Sequence, residues 1–276
     1  MHTVEAFLAA ADCLDSMSDE AGFKYIGFMK YNRRPRMSGS TGAGAGTDVK
    51  RPGDIYRTRA GRIIGRVTGW AEKNDYRIPE HFTKNWEPDL YMNSDRPDDP
   101  FKPYGATPGH GIEWARLIAQ WMLSEGPQNR PPVPNKGPQN RPPVPESLYD
   151  RAIKDAWNSD GAEGIVYTTD WDGRPVVHDR MHWTLAEAIN TSAVLYRITD
   201  DQRYAADYAA FMRYLDTTVL DHKTGSWFHQ LDEKNQLKET VWPGKSDLYH
   251  AFQAMLIPYA VPGVSIAKAV WDRKNA

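Results

Sequence analysis

Residues 108–125 read PGHGIEWARLIAQWMLSE. Ile112, Ala115, Leu117, Ile118, Trp121 and Met122 recur at the three- and four-residue spacing of a helix with one buried face. The spacing predicts a helix over 112–125. Pro108 and Gly109 close the preceding loop, and His110 opens the helical turn. The same period extends outward in both directions. It predicts helices over 2–12 (Val4, Phe7, Leu8, Ala11), 54–74 (Ile55, Ile63, Ile64, Val67, Trp70), 146–158, 183–198, 201–220, 246–257 and 263–273. Strand signals are short, at 165–168 and 226–230, beside the turn-forming WDGRP and DHKTG. Eight helices, often in pairs, with long loops and small hairpins, make an all-α architecture of helical hairpins and not an alternating βαβ chain.

The chain has 276 residues, enough to bury a sizeable core in one large domain or two small ones. It carries 34 Lys+Arg against 36 Asp+Glu, so a cationic nucleic-acid-binding protein is not expected. The one cysteine, Cys13, excludes a disulfide framework and a cysteine-based zinc site. No apolar run approaches the roughly 18–20 residues of a membrane span. The opening MHTVEAFLAAADC lacks the basic start and apolar stretch of a signal peptide. The expectation is a soluble, cytoplasmic protein. Ten Trp and 20 Pro stand out. A flat indole suits the apolar face of a pyranose, although Trp more often fills a core.

Three stretches break the helical pattern. Residues 31–53 are basic and rich in Gly and Ser, as in a flexible insertion. Residues 75–109 hold Pro, Asp and Asn, and read as a long ordered loop anchored by Phe82, Trp86, Tyr91, Phe101 and Tyr104. Residues 126–145 contain GPQNRPPVP twice, at 126–134 and 137–145, which reads as a polyproline surface linker. An SH3 or WW ligand is the alternative use of such a segment.

Common motifs fall away. GAGAG at 42–46 lacks dinucleotide-loop spacing, and the GKS of WPGKSD has Glu239 where a phosphate loop needs Gly. What remains is His, Trp and carboxylates at helix starts. His110 and Glu113 are three apart and share a face. The positive end of the helix favours a neutral His110 imidazole, the form that acts as general base near pH 7. Glu113 could orient it or share its proton; local capping is the plain alternative. In RMHWTLAEA, 180–188, His182 and Trp183 lead into a helix that carries Glu187 among apolar residues. A buried carboxylate needs a partner or a task, and a salt bridge to Arg180 is the plain alternative. In WPGKSDLYHAFQAML, Asp247 stands at a helix start and His250 three residues on, after Trp242. A lone His on such a helix is more often a core residue. His2 and Glu5 repeat the three-residue spacing. In a helical toroid, inner helices point their N-terminal ends at one pocket, where His110 and His250 would flank a common substrate.

PGHGIEWARL, DWDGRPVVHDRMHWTLAEA, GSWFHQLD and WPGKSDLYHAFQAMLIP resemble the N-acylglucosamine 2-epimerase family, nearest to its mannose and sulfoquinovose isomerases. The resemblance covers about 54–125 and 146–260. It implies an (α/α)6 toroid and a sugar isomerase or 2-epimerase needing no metal or other cofactor. The substrate would be a small-molecule monosaccharide, and a homodimer is compatible. Histidines would remove and return protons at C2 of an open-chain aldose through a cis-enediol. By motif, His110 and His250 match the acid–base pair, and Glu113 the carboxylate beside the first. Trp183 and Glu187 match the pocket wall. His2 resembles a sugar-contacting histidine, and Trp114, His182, Trp242 and Asp247 fall within the matching stretches as substrate-binding candidates.

The match also has gaps. Met1 falls inside the motif that contains His2, residues 13–53 depart from the family pattern, and Ser246 stands where Pro is expected. The expectation is a partial catalytic domain over 1–276, with about eight helices, insertions at 31–53 and 126–145, and reduced or absent turnover. Two other readings compete. A six-hairpin glycoside hydrolase would use Glu113, Glu187 and Asp247. A non-catalytic fragment would act through its Pro-rich segment.

Overall fold

A computed structural model describes residues 1–17, 51–125 and 143–275. Most of the expected insertions at 31–53 and 126–145 lies outside the described residues. Their last residues, 51–53 and 143–145, are described. The Gly53 amide donates to Asp15 Oδ1 at 2.8 Å, and Val144–Pro145 already belong to a helix.

Eight α-helices are described: α1 His2–Met17, α2 Asp54–Lys73, α3 Pro108–Ser124, α4 Val144–Ala156, α5 His182–Thr199, α6 Gln202–Tyr214, α7 Leu248–Leu256 and α8 Ile266–Asn275. The all-α expectation therefore holds, with shifted ends. The helix expected over 112–125 begins at Pro108, where the fixed ring torsion suits a first turn. The helix expected over 201–220 ends at Tyr214 and continues as a π turn, Leu215–Val219.

Burial separates two kinds of helix. In α3 every residue from Ile112 to Ala119 is buried; in α5 so is every residue from Thr184 to Leu195. Helices buried on all sides belong in the interior. The helices α2, α4 and α6 bury one stripe each, as outer helices do: Ala60, Ile64, Val67 and Ala71 on α2, and Tyr204, Phe211 and Tyr214 on α6. Helix α3 packs on α4 and α5, α5 on α6 and α7, and α1 on α2 and α8. On α7, Leu248, Phe252 and Met255 form an exposed apolar stripe. Among the described residues, no helix is long and apolar enough to cross a membrane.

Two small antiparallel strand pairs, one of them a hairpin, flank the inner helices. Strands β1 (Thr168–Thr169) and β2 (Pro175–Val177) pair around the WDGR turn. Strands β3 (Arg180–Met181) and β4 (Gln230–Leu231) pair directly before α5, and the His182 amide donates to the His229 carbonyl at 3.1 Å. The expected strands at 165–168 and 226–230 overlap β1 and β4 at Thr168 and Gln230, and their earlier residues Ile165, Trp227 and Phe228 form isolated bridges instead of strand.

The loop over 75–107 is ordered, but three of its expected anchors do not bury their rings. Trp86, Tyr91 and Phe101 are at least 69% exposed. Backbone and ion-pair contacts hold the loop instead. Buried Arg77 pairs with Asp155 at 2.8 Å, His81 bonds the Pro103 carbonyl at 2.8 Å, and the Trp171 indole donates to the Leu90 carbonyl at 2.6 Å. At its end, Ala106 and Thr169 exchange backbone hydrogen bonds of 2.9 and 3.0 Å. That approach requires Gly105, whose φ is +95° and whose added Cβ would lie 2.0 Å from the Thr169 oxygen. Gly105→Ala is therefore expected to cost on the order of 2 kcal/mol or more, read as a lowered midpoint in urea unfolding. An unchanged midpoint would contradict this packing.

Candidate active site

A cavity of about 580 Å³ opens between α1, α3, α7 and the start of α8. His2, Glu5, Arg116, Asp247, Tyr249 and His250 line its polar side. The N-terminal end of α5 adjoins it: the Trp183 ring lies 4.9 Å from His110 and 5.9 Å from His250. One indole thus contacts imidazoles from two different helices. Gly109 permits this closeness, since a Cβ there would meet the Trp183 ring at 2.8 Å.

Asp247 caps α7 and orients two histidines. Its Oδ1 accepts the His250 amide at 2.9 Å, the N-cap bond that starts the helix. Its Oδ2 lies 3.0 Å from His182 Nε2 and 3.4 Å from His250 Nδ1. Burial raises the Asp247 carboxyl, but the His250 amide and the two imidazoles outweigh it and hold it below its ordinary range. Burial drives His182 down to about 4 against the pull of Asp247, so its neutral ring donates from Nε2. His182 also contacts His229, and His229 stacks on Trp242 at 6.0 Å.

His110 has an orienting carboxylate that its own segment does not reveal. Glu80, from the loop after α2, lies 2.8 Å from His110 Nδ1. Burial alone would lower the His110 pKa. The charge and hydrogen bond of Glu80 overcome it, and the pKa rises above the ordinary 6.5. The expected neutral imidazole at the helix start is thereby corrected: a carboxylate in contact outweighs the end of a helix dipole.

Beneath the histidines lies a buried charge cluster. Arg116 on α3 donates to Glu187 Oε2 of α5 at 2.9 Å and to Glu5 Oε1 of α1 at 3.1 Å. The salt bridge expected between Glu187 and Arg180 is not made; Arg180 pairs with Asp160 at 2.7 Å. Glu5 also accepts from the Tyr249 hydroxyl, which lies 3.2 Å from His2 Nδ1. Glu113 is 1% exposed, and burial, then the Glu187 charge, push it up to about 8.

The structure therefore gathers His110, His250, His182, Trp183, Asp247, Glu113, Glu187 and His2 around one region. Trp242 stacks on His229, which in turn contacts His182. Trp114 does not line the cavity and is packed in the hydrophobic core. Sequence reading missed Glu80, Arg116, Tyr249 and His229 as members of the site. Arg116 carried a legible signal, a cation between the apolar Ala115 and Leu117 of a mostly apolar helix. Among the described residues, three groups hold potential metal-ligating atoms within 4.8 Å of one another: His182–Asp247–His250, His2–Glu5–Glu113 and Glu113–Glu187–His250. Glu80→Gln should lower the His110 pKa, followed by NMR titration of its ring protons; an unchanged or higher value would refute the Glu80 contact.

The N-acylglucosamine 2-epimerase (GlcNAc 2-epimerase) family profile matches residues 35–254. A D-mannose isomerase of Pseudomonas cannabina pv. alisalensis is 41% identical over 213 residues, covering 77% of this chain and 50% of that protein. A D-mannose isomerase of Thermobifida fusca is 37% identical over 211 residues, covering 72% and 47%. The chain thus spans about half the length of the curated relatives it matches. The crystal structure of a D-mannose isomerase superposes with a TM-score of 0.64 at 25% identity, covering 74% of this chain and 50% of that one. For a cellobiose 2-epimerase from Spirochaeta thermophila DSM 6192 the score is 0.54 at 15% identity, covering 79% and 48%, a likeness of fold alone. The eight described helices superpose on about half of these (α/α)6 toroid enzymes. The chain belongs to the N-acylglucosamine 2-epimerase family.

Proposed function

We propose that this chain forms the proton-transfer site of a sugar isomerase or 2-epimerase acting at C2 of an open-chain aldose, with mannose as the first substrate to test. The observation that carries the reading is the Trp183 ring, which touches His110 on one helix and His250 on another. Each of these imidazoles is backed by its own carboxylate, Glu80 or Asp247. Paired, oriented imidazoles suit removal of a proton from carbon and its return.

His250 is the base. Asp247 orients its ring from the Nδ1 side, and the other nitrogen takes the C2 proton. His110 is the acid, because Glu80 favours its protonated form. The electron pair left by the proton forms a cis-enediolate. Protonation at C1 gives the ketose; protonation at C2 from the opposite face gives the epimer. Neutral His182 holds Asp247 in place. His2, Glu5 and Tyr249 contact the sugar hydroxyls, and Trp183 packs on the carbon chain. Trp242 acts at the rim, and Trp114 supports α3 from the core. No step in this chemistry calls for a metal or redox cofactor. A hydrolase reading finds less support, because Glu187, one of the carboxylates it would use, is buried and bound to Arg116.

The test is solvent-deuterium incorporation at C2 of mannose, followed by proton NMR. His110→Ala and His250→Ala should each lower it about 10²–10⁴-fold with an unchanged circular dichroism spectrum. We expect this chain to exchange more slowly than a full-length relative, since α7 leaves Leu248, Phe252 and Met255 in solvent beside the cavity. Exchange that survives both substitutions, or saturating mannose that neither exchanges nor shifts the histidine resonances, would overturn the reading.

A further inference from the structure

Asp247 is the meeting point of imidazoles from two helix starts. His182 opens α5, and His250 lies in the first turn of α7. Both rings address the same carboxylate oxygen, Oδ2: His182 through Nε2 at 3.0 Å, His250 through Nδ1 at 3.4 Å. The ring planes stand at 79° to each other, with centroids 6.0 Å apart. All three donor atoms lie within 4.8 Å of one another. Ligand atoms of a tetrahedral zinc ion, each roughly 2.0–2.1 Å from the metal, stand about 3.4 Å apart. Both separations to Oδ2 are close to that figure, and side-chain rotation can close the span between the imidazoles.

Charge favours this triad over the other two groups of possible ligands. Glu187 and Glu5, which those groups need, are each bonded to Arg116, a fixed cation beside the ligand atoms that repels a second one. Asp247 pairs with no lysine or arginine among the described residues; its ionic partners are the two imidazoles. Access is open as well. The Asp247 side chain is partly exposed, and it lines the cavity together with His250. Two imidazoles and one carboxylate are the donor set of borderline cations such as Zn²⁺. Mg²⁺ and Ca²⁺ prefer oxygen ligands throughout.

We propose that His182 Nε2, Asp247 Oδ2 and His250 Nδ1 form a binding site for a borderline divalent cation such as Zn²⁺, and that the bound ion switches off proton transfer. The site stands on its own geometry; its effect on the reaction rests on the isomerase reading above. On that reading His250 carries its proton on Nδ1, toward Asp247, and takes the C2 proton on Nε2. A metal at Nδ1 uses that nitrogen's lone pair, so the ring proton moves to Nε2. An Nε2 that already holds a proton accepts no other, and the base is lost. His182 likewise moves its proton from Nε2 to Nδ1, a buried atom with no hydrogen-bond partner to give up. Asp247 keeps its helix cap, because the His250 amide is bonded to the other oxygen, Oδ1. The ion therefore leaves α7 in place and removes only the chemistry.

The test titrates zinc chloride alone into the protein, with free zinc read by a chromophoric chelator. Crystals soaked in zinc chloride then locate the ion by anomalous scattering. The expected position is between His182, Asp247 and His250. Asp247→Asn keeps an N-cap side chain and so the start of α7; His182→Ala removes a ligand outright. Each should weaken zinc binding about tenfold or more, and magnesium chloride should not compete. Deuterium exchange at C2 of mannose should fall in step with zinc occupancy and return when EDTA is added. No uptake from millimolar zinc, an ion found only at another group of ligands, or binding unchanged in both variants would overturn the proposal. Full exchange with the site filled would overturn it too. If the protein exchanges no C2 proton even without zinc, but the ion sits between these three atoms, the isomerase reading has failed and the site stands.

Discussion

The site is organised around a single buried cation. Arg116, 2% exposed on the inner helix α3, is bonded to Glu187 of α5 and Glu5 of α1. A guanidinium cannot stay in such a place without carboxylate partners, because removing it from water unpaired costs far more than a fold of this size can supply. The pairing therefore fixes how three helices meet. It also imposes the local charge balance: two carboxylates are satisfied, and Glu113, one turn before Arg116 on the same helix, is left over. The high proton affinity of Glu113 follows from that arrangement and not from any partner of its own.

Above the cluster, helix starts do the orienting. The carboxylate of Asp247 caps α7 through the His250 amide, and the same group reaches His182 and the His250 ring. The bond that begins the helix is thus also the bond that sets the imidazoles. On the other side, α3 begins at Pro108, and the bare Gly109 lets Trp183 approach His110. Glu80 arrives from a loop whose course depends on the Arg77–Asp155 pair and on the backbone exchange between Ala106 and Thr169. The loop's exposed aromatic rings contribute little to that course.

The helices were legible because their cores are written at a period of three and four residues. Their ends were not, because the first turn of α3 uses Pro108 and Gly109, which read as loop formers. The grouping of His110, Trp183, Glu187 and His250 could be anticipated from their place at the starts of inward helices. Partner identity could not. Arg180 is seven residues from Glu187 in the chain, yet Arg116 from another helix meets it, because α3 and α5 cross at that level. Glu80 lies 30 residues before His110 and belongs to no periodic segment, so nothing local tied the two together. Trp114 follows Glu113 directly, but the turn of about 100° per residue carries its ring away into the core.

The central claim is that His110 and His250 address one substrate carbon from two helices. The most direct measurement is a crystal structure of the protein with D-mannitol, an open-chain polyol that cannot react. Density is expected beside Trp183, with ring nitrogens of both His110 and His250 within about 3.5 Å of the same end of the chain, at C1–C2. Mannitol held by only one of the two imidazoles, or bound away from Trp183, would contradict it.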